Sequence, residues 1–181
     1  GWSDPQPVGE PINGKGSVYY PSITKTGTMY FTRRMEDNSE YIYRSKLVDG
    51  VYTEPERLPE QVNSSNSQFN TFISPDEDFL IVPTLVEGNT FGSSDYYVSF
   101  RDENDNWTEL INLGESINSK RWDFSPSLSP DGKYFFFQRE AWTEPLADKK
   151  FGYEDLKEIH GGGGDIYWVD ASVITKLKLK N

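Results

Sequence analysis

The chain has 181 residues, with 18 basic and 29 acidic side chains, a net charge of −11 and no cysteine. Such a surface repels phosphate backbones and anionic lipid, which disfavours nucleic acid and acidic membrane as partners, and without a thiol there is no disulfide, thiolate nucleophile or thiolate metal site. No apolar run approaches the roughly 20 residues that span a bilayer, so no membrane insertion is expected.

In chain order, the first predicted element is a strand over residues 1–8, led by Trp2-Ser3-Asp4-Pro5 and followed by Val8, Glu10 and Ile12-Asn13. The same pattern returns 50 residues later as Tyr52-Thr53-Glu54-Pro55 with Leu58, Glu60 and Val62-Asn63. It returns again 55 residues after that as Trp107-Thr108-Glu109 with Leu113, Glu115 and Ile117-Asn118. Self-similarity at a period of about 40–55 residues marks one supersecondary unit copied and stacked. Aromatic residues are abundant, and Gly, Pro, Asn, Ser and Asp punctuate short apolar runs, which is an all-β pattern in a single domain.

Each copy reads as a four-stranded antiparallel meander, with units at about 19–58, 69–113 and 125–170. In the third copy, 125–129 is the first strand, Pro130-Asp131-Gly132 a tight turn with the glycine at positive φ, 133–138 the second strand and 165–169 the third. In the other copies the second strand is predicted at 28–33 and 79–82, and the third at 41–45 and 96–100. The fourth follows the turns Asp49-Gly50 and Asp105-Asn106 and is led by Tyr52 or Trp107. After Asp170, apolar residues at 173, 174 and 177 have helical spacing with Asp170 available as N-cap, predicting a short C-terminal helix; a closing strand is the alternative.

Ser-Pro-Asp-Gly-Lys-Tyr-Phe-Phe-Phe (residues 129–137), then Arg139, then Gly-Asp-Ile-Tyr (164–167), resembles the WD40-like PD40 repeat of TolB-type β-propellers in bacterial envelope proteins. The copy at Ser74-Pro75-Asp76-Glu77 departs by carrying Glu for Gly, and Thr24-Lys25-Thr26-Gly27 by lacking the Pro-Asp pair, so looser turns are expected there. The resemblance implies a β-propeller, a periplasmic, cell-envelope or extracellular location, and a range of functions from binding module to enzyme. Three blades cannot close a ring, since propellers have roughly 4–8. The chain is therefore expected to be half of a six-bladed propeller, or to close one as a homodimer in which each copy lends its first strand to the other. Opening on Gly1 rather than Met, it is expected to be a processed or truncated form.

In such a meander the short turns share one end of the sheet and the long segments, at 13–20, 34–40, 63–70, 84–94, 118–124 and 140–164, share the other. Binding residues concentrate on long loops of a rigid scaffold. Candidates there are Arg34 and Arg139, read as one repeat position filled by Thr84 in the middle copy, which could hold a carboxylate ligand or pair with Glu40 and Asp165. Asn118, like Asn13 and Asn63, is read first as a turn cap. Arg121 and Trp122 form a basic and aromatic cluster suited to stacking on a sugar or a partner side chain, or to packing between blades. The 140–164 insertion adds Trp142 and the sole histidine, His160, ahead of four glycines that lack the Lys-Ser/Thr of a phosphate loop.

One histidine rules out multi-histidine metal centres within this chain, and a glycine-flanked loop is a poor place to orient a general base. No catalytic residue, metal or cofactor is expected. The favoured reading is a non-catalytic scaffold that binds a protein, peptide or glycan on its long-loop face. The alternative is a carbohydrate-active propeller, a glycosidase or lyase, using paired carboxylates, which would need two acids about 5–10 Å apart facing one cavity.

Overall fold

The computed structural model describes residues 1–14, 16–140 and 164–179. The described residues form four antiparallel sheets and one short helix, a propeller-like, all-β arrangement. The first sheet holds β1 (Ser17–Ile23), β2 (Met29–Arg34), β3 (Glu40–Ser45) and β6 (Glu56–Arg57) in the order β1-β2-β3-β6, with a small separate hairpin, β4 (Leu47–Val48) and β5 (Val51–Tyr52), projecting before β6. The second holds β7 (Phe72–Ile73), β8 (Phe79–Thr84), β9 (Asp95–Phe100) and β10 (Ile111–Asn112) in chain order; the third holds β11 (Asp123–Leu128), β12 (Tyr134–Glu140) and β13 (Gly164–Asp170). Helix α1 (Ser172–Lys178) follows.

Burial explains the sequence pattern of each sheet. In the second sheet β8 and β9 are buried on both faces, so Phe79-Leu80-Ile81-Val82 reads as a continuous apolar run rather than an alternation. Leu80 and Val82 face the first sheet and meet Tyr30, Ile42 and Trp107. Phe79, Ile81, Tyr96 and Val98 face the third sheet and meet Phe135 and Phe137. In β13 the alternation is clean, because only the Tyr167 and Val169 side packs inward while Ile166 and Trp168 stay exposed. Helix α1 seals the second junction with the buried Ile174. Its cap lies one residue later than predicted: Ala171 occupies the N-cap position without a side-chain bond, and Asp170 instead accepts the Ser172 N–H at 2.8 Å.

The sheets are wedges rather than a flat stack. Tyr20, Asn70 and Ser125, at matching repeat positions in or just ahead of the three first strands, all adopt positive φ (52°, 48° and 63°). The register of β1 and of β11 shifts at this position, as a β-bulge requires. There the first and third sheets meet, the Tyr20 hydroxyl reaching Pro126 O at 3.4 Å, while Asn70 Nδ2, just ahead of the second sheet, reaches Ser125 Oγ at 3.5 Å. Face-to-face sheets pack about 10 Å apart, so sheets one and three of a parallel stack would stand about 20 Å apart. Their first strands therefore converge on a common edge.

Two expectations change. The Glu77 turn is not looser than the Gly132 turn: both close with the same bond, Ser74 N–H to Phe79 O and Ser129 N–H to Tyr134 O, at 2.9 Å, and Glu77 takes positive φ as Gly132 does. The first copy is the different one, closing one residue sooner with Thr24 N–H to Thr28 O. The fourth strand begins later than Tyr52 and Trp107. Thr53 and Thr108 do lie along the third strand, but a hydroxyl replaces a carbonyl in the pairing: Thr53 Oγ1 accepts from Lys46 N–H at 3.1 Å and Thr108 Oγ1 from Phe100 N–H at 3.0 Å. Residues 1–8 pair with no strand among the described residues.

Candidate functional site

Long segments of neighbouring sheets are stitched to one another at one end by backbone bonds. Glu40 N–H donates to Asn66 O at 2.9 Å and Gln68 N–H to Glu40 O at 3.0 Å, which ties the start of β3 to the segment entering the second sheet. The same device recurs one sheet on, where Ser93 N–H donates to Arg121 O at 2.9 Å and Asp123 N–H to Ser94 O at 3.0 Å. Gly92 permits the second stitch. A Cβ on Gly92 would stand 2.4 Å from Arg121 O and 2.7 Å from Arg121 N, closer than any side chain tolerates.

On this braced loop Trp122 is 49% exposed and its ring lies 6.1 Å from that of Phe69. Phe91, 46% exposed, precedes Gly92 on the opposing segment. Large aromatic rings left in water on a hydrogen-bonded loop form an apolar platform with polar edges, suited to stacking.

The other predicted residues divide. Arg34 is held by Glu40, with Nε and Nη2 donating to Oε1 at 2.9 and 2.6 Å, and the Tyr19 hydroxyl donates to the same oxygen. Burial, then the Glu40 carboxylate, pushes the Tyr19 phenol up to about 12. Arg139 is not the counterpart of Arg34. Because the first hairpin is one residue shorter, its counterpart is Arg33: Arg33 Nη2 donates to Ile12 O at 3.1 Å and Arg139 Nη2 to Asn118 O at 3.2 Å. Both guanidiniums also lie over rings, Arg33 over Tyr43 at 4.8 Å and Arg139 over Tyr167 at 5.7 Å. Arg139 faces the second sheet and braces a junction.

Asn118 is a clamp and does not face solvent. Its Oδ1 accepts Tyr96 N–H at 2.8 Å and its Nδ2 donates to Tyr96 O at 3.2 Å and to Asn112 Oδ1 at 2.8 Å, so its amide is spent. Asn63 does the same to Ile42. The expected bonding of an Asn to its own turn thus becomes bonding to the third strand of its own sheet. Trp142 and His160 lie outside the described residues.

Two carboxylates lie beneath the platform. Asp95 accepts from Phe91 N–H, Gly92 N–H and Asn112 Nδ2, and shapes the loop that carries Phe91. Asp123 accepts from Ser119 N–H through Oδ2, while its Oδ1 is buried without a hydrogen-bond partner. Burial, with the nearby Asp95 adding to it, pushes the Asp123 carboxyl up to about 6. Both side chains are sealed from solvent. Among the described residues no cluster of three or more acids and histidines is arranged to hold a metal ion.

Phe69 and Phe91 were missing from the sequence-derived candidates, as was the strained trio Tyr20, Asn70 and Ser125. The trio carried a signal, since the three share one repeat position; Phe91 carried none, lying in a loop without a counterpart. No family model matches this sequence, and no curated protein matches it. A solved structure similar to it, assigned as TolB from Agrobacterium tumefaciens, is 14% identical with a TM-score of 0.41, over 87% of this chain and 60% of that one. The chain thus spans less than two thirds of that protein's solved length, and the propeller-like character rests on the sheets described above.

Proposed function

We propose that this chain is a non-catalytic, TolB-like propeller scaffold of the bacterial cell envelope, three blades of a six-bladed ring, that recognises a protein, peptide or glycan on its long-loop face. The exposed Trp122 ring, tilted against Phe69 and carried on a loop fixed by the Gly92–Arg121 contact, is the observation that supports it. An aromatic held rigidly in water gives large contact area at small entropic cost on binding, the physical character of a binding hot spot. An envelope location follows from the PD40 resemblance; no described helix is long and apolar enough to cross a membrane. Asp95 and Asp123 do not supply the acids of the paired-carboxylate alternative, because they are turned to backbone amides and sealed from solvent.

Glycan arrays and envelope-extract pull-downs with the wild-type chain and Trp122→Ala test the reading. Loss of about 2 kcal/mol at a hot spot weakens binding roughly thirtyfold, with unchanged circular dichroism. Turnover of a polysaccharide abolished by one Asp or Glu substitution contradicts it.

A further inference from the structure

We infer that a second copy of this chain completes the third sheet: its residues 1–8 add along the outer edge of β13 as the missing fourth strand, and its first sheet packs on the exposed face of Tyr134, Phe136, Ile166 and Trp168. This is independent of the Trp122 platform and goes beyond the scaffold reading by naming the contacting strands and faces.

The edge comes first. In the first sheet Thr53 N–H donates to Lys46 O at 2.9 Å and Thr53 Oγ1 accepts Lys46 N–H; in the second, Thr108 N–H donates to Phe100 O at 2.9 Å and Thr108 Oγ1 accepts Phe100 N–H. Ser45, Ser99 and Val169 are opposite Met29, Leu80 and Phe135, the same hairpin position in each copy, so Asp170 stands where Lys46 and Phe100 stand. The equivalence extends one residue further, since Arg101 N–H donates to Asp78 O and Ala171 N–H to Lys133 O. Among the described residues no strand pairs with β13 opposite β12.

The donor is present in the chain. Trp2-Ser3-Asp4-Pro5 repeats Tyr52-Thr53-Glu54-Pro55, which puts Ser3 at the position of Thr53 and Thr108, with a hydroxyl available to accept the Asp170 N–H. Residues 1–8 are all exposed, Trp2 at 104%, and no described strand competes for them. Ser45 and Ser99 add a hydroxyl bond to Thr53 O and Thr108 O that Val169 cannot make, so the intermolecular strand is held less firmly than its two precedents.

The faces agree with the edge. In both internal junctions one face of a sheet packs on the opposite face of the next. The face of the third sheet left over is the one that faces onward, where Tyr134 and Trp168 lie edge to face at 5.1 Å and Ile166 is 80% exposed. The face of the first sheet left over is the one that faces backward, with a cleft of about 570 Å³ lined by Arg33, Met35, Tyr41, Tyr43 and Arg57. Repeating the internal junction between two copies joins these two faces, and a two-fold axis makes the contact twice and closes a ring. The three larger sheets described in each copy then give six, inside the roughly 4–8 that propellers use.

The test is solution mass by sedimentation equilibrium on the full chain. Twice the 20.8 kDa chain mass is expected, with the dissociation constant raised at least tenfold by Ser3→Pro, which removes the N–H, and by Trp168→Asp. A chain lacking residues 1–8 should be monomeric with an unchanged β spectrum, because those residues pair with no strand among the described residues. A wild-type chain that stays monomeric at every concentration reached overturns the inference. So does a dimer whose affinity survives removal of residues 1–8.

Discussion

The two junctions between sheets are built from different physics. The second–third junction is mainly apolar: Phe135 and Phe137 pack edge to face on Tyr96 at 5.9 and 6.0 Å, with Ile81, Val98 and Ile174 beside them. The first–second junction has an apolar centre around Leu80 and Val82 but is rimmed by ions. Arg44, its side chain 7% exposed, donates through Nη1 and Nη2 to both oxygens of Asp105 and through Nε to Glu56 at 2.5 Å. Arg101 shares Asp105 at 2.6 Å, and the Tyr30 hydroxyl donates to Glu77 at 2.7 Å. Apolar stacking supplies free energy with little directionality, whereas a bidentate pair fixes the angle between two sheets for a smaller net gain.

The largest effect should come from Phe135→Ala. It removes a fully buried ring from the apolar junction and should destabilise by about 3–5 kcal/mol in denaturant titrations. Asp105→Ala follows at about 2–3 kcal/mol, because Arg44 stays buried with only Glu56 left. Replacing both, as Arg44→Met with Asp105→Leu, should recover most of that loss while loosening the junction, read as faster amide exchange at its rim.

Acid separates the junctions by sign. The Arg44 hydrogen bond and ion pair hold the Asp105 carboxyl well below its usual range, so the stability it contributes is present above pH ~4 and is lost as pH falls through the folded value. Asp123, at the other junction, is raised to about 6 by burial, so stability is lost as pH rises from ~4 towards 6. Thermal melts of Asp105→Asn should show a shallower acid decline, because Asp131 and Asp170 are also held low, and those of Asp123→Asn should lack the fall between pH 4 and 6, the latter a change on the order of 1–3 kcal/mol. Smallest is Lys25→Ala: its 2.8 Å pair with Asp76 spans the first two sheets in full solvent and should contribute less than about 0.5 kcal/mol, vanishing in salt.

Much of the fold was legible because repeats, turns and strands leave period-two and punctuation signals. Strands β2, β3, β8, β9, β12 and β13 lie within two residues of their predicted limits. The misassignment of Arg34 arose because the Thr24–Thr28 turn is one residue short, and a deletion inside a turn is invisible when copies are aligned by a fixed offset. The late fourth strand arose because a threonine hydroxyl can stand in for a carbonyl, which apolar patterning does not register. At the site, Trp122 was legible as an aromatic in a polar loop. Asn118 was not, since its partner Tyr96 is 22 residues away and brought to it only by the meander. Glu77 shows the same limit: its positive φ costs roughly 1–2 kcal/mol relative to glycine, yet its carboxylate holds Tyr30 across the junction.

Spin labels on a chain without native cysteine test the wedge arrangement most directly. A pair at Pro21→Cys and Ser127→Cys reports the first strands of sheets one and three, and a pair at Glu54→Cys and Trp168→Cys reports their outer edges. Convergence on a common edge predicts a short inner distance and a much longer outer one; equal distances of about 20 Å or more for both pairs, as in a parallel stack, would contradict it.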